Sequence, residues 1–75
     1  MSDPLDCKSL KCPMPIVRIS QRIRRIATGD VFSVEASDPA FHADLVAWTQ
    51  TTGHRLVSFK EEGSVQYAEI EKVGV

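Results

Sequence analysis

The sequence predicts an α+β fold: a two-layer α/β sandwich in β-α-β-α-β-β order, with two helices on one face of a four-stranded mixed sheet. Three observations predict it. Two stretches, around residues 16–26 and 41–48, repeat apolar side chains at helical spacing. Runs rich in β-branched and aromatic residues lie between and after them. Glycine and proline fall singly, where those segments begin or end. A chain of 75 residues supports one core, and its 43% apolar content is enough to build it, so residues 1–75 are expected to form a single domain.

The elements follow in order. Residues 4–7 form a short first strand that runs into a polar turn at Lys8 and Ser9. Ile16, Ile19, Ile23 and Ile26 then recur at steps of three, four and three, one stripe of a helix that faces the core and closes near Gly29. Arg18, Arg22 and Arg25 make a second, basic stripe on the same helix. Residues 31–36 predict a strand, with Phe32 and Val34 on one face and Val31 and Ser33 on the other. Asp38 followed by Pro39 reads as the N-cap and first position of a second helix, whose Phe41, Leu45 and Trp48 face the core and whose end falls at Gly53. Residues 56–59 and 65–70 alternate as two strands around a loop of Glu61, Glu62, Gly63 and Ser64, which makes an antiparallel hairpin.

Net charge is only -1, so no global positive field draws the chain onto nucleic acid, and stable nucleic-acid binding is not expected. The charge is nevertheless divided. Residues 1–30 hold six basic and three acidic side chains, net +3, and residues 31–75 hold three and seven, net -4. The opening Met1-Ser2-Asp3-Pro4 lacks the basic start and apolar run of a secretion signal, and no apolar stretch is long enough to span a bilayer. A cytoplasmic protein without membrane insertion is expected, and in that reducing compartment Cys7 and Cys12 are expected as thiols.

The segment Lys11-Cys12-Pro13-Met14-Pro15 carries the chemistry. A residue before proline avoids the α region, as an N-cap does, so Cys12 suits the cap of the first helix; in the other register the regular helix starts at Pro15 with Met14 as the cap. Pro13 and Pro15 lack amide hydrogens that would have had no intrahelical partner. The amide of Met14 then points near the Cys12 sulfur. That amide, the positive end of the helix dipole, Lys11 and Lys8 all favour thiolate over thiol. Prolines on either side stiffen the entry and present the cysteine in a fixed geometry.

Each of these residues also has a plainer reading. Cys12 as a buried structural thiol is the default for a lone cysteine, and the electropositive helix entrance argues against it. Cys7, in a short strand, reads as core packing, with a regulatory disulfide to Cys12 as the alternative. Cys7, Cys12, His42 and His54 lack the close ligand pairing of a zinc site, so no metal is expected and His42 reads as a solvated helix residue. The arginine stripe is either an ordinary solvated face or a docking patch for an acidic partner, and its place on the helix that follows Cys12 favours docking.

These residues resemble the TusA/SirA-like sulfur carriers, small domains with a Cys-Pro-x-Pro motif at the start of their first helix. The resemblance rests on Cys12-Pro13-Met14-Pro15 together with Leu5-Asp6, Gly29-Asp30, Asp38-Pro39 and Gly53-His54, and so spans nearly the whole chain. It implies that Cys12 accepts sulfane sulfur as a persulfide from a rhodanese or cysteine desulfurase. An acceptor protein then takes it for tRNA thiolation, cofactor synthesis or sulfur oxidation. It implies a monomeric carrier with no cofactor rather than a stand-alone turnover enzyme. Two further readings belong to other classes: a thiol-disulfide switch of Cys7 with Cys12, and a small RNA-binding module using the arginines. The sequence departs from the family where Lys8-Ser9 replaces Arg-Gly and Cys7 replaces an aliphatic residue; a glycine at position 9 would permit a positive φ that serine tolerates poorly.

Overall fold

A computed structural model of the chain describes residues 4–11 and 14–73. The elements are β1 (Leu5–Cys7), α1 (Met14–Ile23), β2 (Val31–Ala36), α2 (Phe41–Thr52), β3 (Arg55–Glu62) and β4 (Val65–Glu71). The strands form one mixed sheet in the order β1-β2-β4-β3: β1 runs parallel to β2, and β4 is antiparallel to both β2 and β3. This is the α+β architecture that the sequence predicts.

Alternation along β2 and β4 decides which face is covered. Phe32, Val34 and Ala36 on β2 are buried with Gln66, Ala68 and Ile70 on β4. They join Cys7, Ile19, Ile23, Phe41 and Leu45 in one apolar core. Ser33, Glu35, Tyr67 and Glu69 take the opposite parity, and with Ser58 and Lys60 they line an open hollow on the other side of the sheet. Trp48 packs half-buried at the core's margin, and Thr49 adds a buried residue to the face of α2 that the aromatic spacing marked out.

Several expected boundaries shift. Helix α1 ends at Ile23, so Ile26 meets the core from a turn. Lys72 captures the backbone that would have continued the helix: its Nζ donates to the Ile26 carbonyl at 2.9 Å, and its own carbonyl accepts from the Gly29 amide at 2.8 Å. Helix α2 begins at Phe41, not at Pro39, and its N-cap is Ala40. The Asp38 carboxylate still accepts an amide, that of Ala40 at 3.2 Å, but in a turn that precedes the helix.

Glu61 and Glu62 belong to β3, and the hairpin turn shrinks to Gly63 and Ser64, with Glu62 paired to Val65. Gly63 has φ +61°, the positive value that the first position of a tight II′ hairpin turn requires. Strand β3 starts at Arg55 and carries a bulge at residue 57, where the register steps from Leu56 opposite Ile70 to Ser58 opposite Glu69.

Candidate functional site

The parallel pairing of β1 with β2 sends the chain from the end of β1 through residues 8–11 to the entrance of α1. That loop is built from local bonds. The Asp6 carboxylate accepts from the Lys8 amide at 3.0 Å, and the Leu10 amide donates to the Cys7 carbonyl at 3.1 Å. No residue other than glycine has positive φ among the described residues, so Ser9 completes this turn without a glycine's freedom.

A second layer holds the loop from behind. The Ser37 hydroxyl donates to the carbonyl of Lys8. Gln66, 3% exposed on β4, donates through Nε2 to the carbonyl of Asp38 at 2.7 Å. Residues 8–11 and 37–39 thereby face each other across a small hollow of about 170 Å³. Ser37 and Gln66 belong to no motif in the sequence. Their one sequence signal is a polar glutamine at a position whose strand parity points into the core.

Cys12 and Pro13, the centre of the expected site, lie outside the described residues. Their neighbours are described. Met14 is the first residue of α1, and its amide donates to the Lys11 carbonyl at 2.8 Å. That donor, which the sequence assigns to the Cys12 sulfur, therefore has a backbone partner of its own. Met14 is helical, as the register capped at Cys12 expects, and so is not the cap of a helix that starts at Pro15. Pro15 is fully buried, so besides stiffening the entrance it packs into the core. Met14 and Val17, 41% and 38% exposed, leave apolar surface at the same end of the helix.

The charges around the entrance differ from the expected set as well. Lys8 Nζ lies 2.8 Å from Glu35 Oε1 and 3.6 Å from Asp6 Oδ1. The hydrogen bond to Glu35 raises the pKa of Lys8 above the usual lysine value, and its charge is spent across the β1–β2 pair. Lys11 is exposed beside the entrance. Arg18, Arg22 and Arg25 line one groove with Leu5 and Gln21; Arg18 and Arg22 lie on α1, and Arg25 stands in the turn just past its end.

Cys7 is wholly buried in the core with a free thiol. Burial pushes its pKa up, and the opposing pull of Arg18 and Arg22 is smaller. The core-packing reading of Cys7 holds. A disulfide switch would need this thiol to leave the core and ionise, both of which burial opposes. His42 is exposed, as expected, but its ring stacks on Phe59 with centroids 3.8 Å apart. His54 accepts the Val73 amide through Nδ1 at 3.2 Å.

The fold and this loop define a class: a small α+β domain in which a cysteine-proline segment joins the first strand to the helix that crosses to the second. A family model described as sulfurtransferase TusA matches residues 4–72, and the chain belongs to that family. Among curated relatives, the "Putative sulfur carrier protein YrkI" of Bacillus subtilis strain 168 is 38% identical over 68 residues, which cover 91% of each chain. The "Sulfur carrier protein TusA" of Allochromatium vinosum is 37% identical over 68 residues, 91% of this chain and 90% of its own. Another relative, the "Putative sulfur carrier protein YrkF" of B. subtilis strain 168, is 41% identical over 61 residues, 81% of this chain. The chain spans only about a third of that protein's length.

Proposed function

We propose that this protein is a sulfur carrier whose working atom is the sulfur of Cys12, acting as one domain with protein partners. The observation that carries the reading is the family match over residues 4–72, which contains Cys12 and is accompanied by relatives named as sulfur carriers. The geometry supports it: a hydrogen-bonded loop from β1 leads to the positive end of α1, with arginines further along the same helix.

The chemistry is balanced without an outside oxidant or reductant. The Cys12 thiolate attacks the terminal sulfur of a donor persulfide. A new S–S bond forms on Cys12, the donor's S–S bond breaks, and the donor cysteine leaves as thiolate. An acceptor thiolate then attacks the terminal sulfur on Cys12 and releases the Cys12 thiolate. A rhodanese or cysteine desulfurase suits the donor role. The acceptor serves tRNA thiolation, cofactor synthesis or sulfur oxidation. No cofactor is required by these steps, and the carrier works as a monomer in the cytoplasm. Among the described residues no helix is long and apolar enough to cross a membrane.

Arg18, Arg22 and Arg25 supply a docking face for acidic partners, where complementary charge speeds encounter. An RNA-binding reading has less support, because Tyr67 on the open sheet face shares its hollow with Glu35 and Glu69. The test is intact-mass analysis after incubation with a persulfide donor. Wild-type protein gains the mass of one sulfur atom, reductant removes it, and Cys12→Ser gains nothing. An unchanged wild-type mass, or equal loading of Cys12→Ser, overturns the proposal.

A further inference from the structure

The outer edge of the sheet and the arginine stripe enclose one groove. Leu5, Arg18, Gln21, Arg22 and Arg25 line an open space of about 280 Å³. Strand β1 is outermost in the sheet, so one side of its backbone has no strand partner among the described residues. Leu5 and Cys7 face the helix layer, and Asp6 faces the other side, toward Lys8. Among the described residues no carboxylate lies within ion-pair distance of Arg18, Arg22 or Arg25, whereas Lys8, Arg55 and Lys60 each have one.

The two sheet edges are not alike. Strand β3 is guarded by a bulge at residue 57 and by Arg55, Lys60, Glu61 and Glu62, features that discourage strand addition. Strand β1 instead presents an apolar side chain beneath unpaired guanidinium groups. Spacing also matches. Arg18 and Arg22 are separated by about 6 Å of helix rise. Side chains on one face of a strand recur every 6.6 Å or so, roughly the same step. Carboxylates at alternate positions of an added strand would therefore meet successive arginines, each able to form a two-pronged hydrogen bond.

We propose that an extended acidic segment of a partner protein docks as a fifth strand on the open edge of β1, with alternate carboxylates on Arg18 and Arg22. This rests on the reading of the arginine stripe as a partner-docking face and specifies how the partner is held: main-chain bonds to β1 give affinity, and the arginines select acidic side chains. Because β1 has three residues, the docked segment is short.

Fluorescence anisotropy with a labelled peptide carrying glutamates at alternate positions, between valine and threonine, tests this on the full chain. The expected result is binding that weakens with added salt. Binding should drop about tenfold when the peptide backbone is N-methylated at alternate residues, which leaves its charge intact and removes its main-chain donors. Arg18→Gln combined with Arg22→Gln should lose about as much with an unchanged melting temperature, and the peptide should slow amide exchange within residues 5–7. The proposal is overturned by equal binding of the N-methylated peptide, by unaltered exchange in β1, by no binding at low salt, or by a single-stranded oligonucleotide that displaces the peptide at equal charge. Sulfur loading of Cys12 is read by mass on the same protein, so a failure of docking is distinct from a failure of the carrier reading.

Discussion

Gln66 on β4 donates its Nε2 hydrogen to the carbonyl of Asp38, 2.7 Å away, and so ties the far side of the sheet to the wall that faces the 8–11 loop. The bond is part-buried, and losing a typical hydrogen bond within a fold costs about 0.5–1.5 kcal/mol. Gln66→Leu keeps the side chain's bulk and removes the donor. It is expected to lower unfolding stability by that amount in urea titration. Sulfur loading should slow in the same variant, because the loop before Cys12 rests on this wall through Ser37.

The pairing of Lys8 with Glu35 makes the two lysines of the loop unequal. Lys11→Ala should move the pH profile of Cys12 alkylation to higher pH, since it removes an uncompensated positive charge from the cysteine's immediate neighbour. Lys8→Ala should move it less. Equal shifts would show that Lys8 reaches the thiolate despite its carboxylate partner. The pKa of Lys8 is raised in the fold, so the stabilisation from its pair is fully present below the unfolded lysine's pKa and is lost as pH rises through the folded value.

Cys7 should resist alkylation in the native protein while Cys12 reacts. Cys7→Ala is expected to cost about 1 kcal/mol, from the small void it leaves, and to retain sulfur loading. Burial raises the folded pKa of this thiol, so its contribution is complete below the unfolded value of about 8.5 and is lost as pH climbs through the folded one. Stability measured between neutral and alkaline pH should therefore fall less steeply in Cys7→Ala than in wild type.

Gly53 closes α2 with φ +82°, and its amide donates to the Thr49 carbonyl at 2.9 Å. A side chain at this left-handed position costs about 1–2 kcal/mol. Gly53→Ala should lower the melting temperature by that equivalent and leave peptide docking and sulfur loading intact, because the position closes the C-terminal end of α2, away from the 8–11 loop that residues 37–39 face. Beyond its two chain neighbours nothing stands within 4 Å of where its Cβ would sit, so backbone conformation alone accounts for the expected loss.

What local chemistry could express was legible in the chain itself. The isoleucine stripe, the alternation of residues 31–36 and the glycines at turns each encode their element through side-chain spacing or φ, and the resemblance of the Cys12 segment directed attention to the family the chain belongs to. Boundaries and charges were decided by partners distant in sequence. Lys72 stops α1 by taking the Ile26 carbonyl, Glu35 neutralises a lysine 27 residues before it, and Gln66 braces Asp38 across 28 residues. Periodicity cannot report such contacts, because it records which face a residue occupies and not what the fold brings against that face. The sequence by itself determined the element order, the core faces and the cysteine-proline segment; only tertiary structure decided which of the nearby charges are paired with carboxylates.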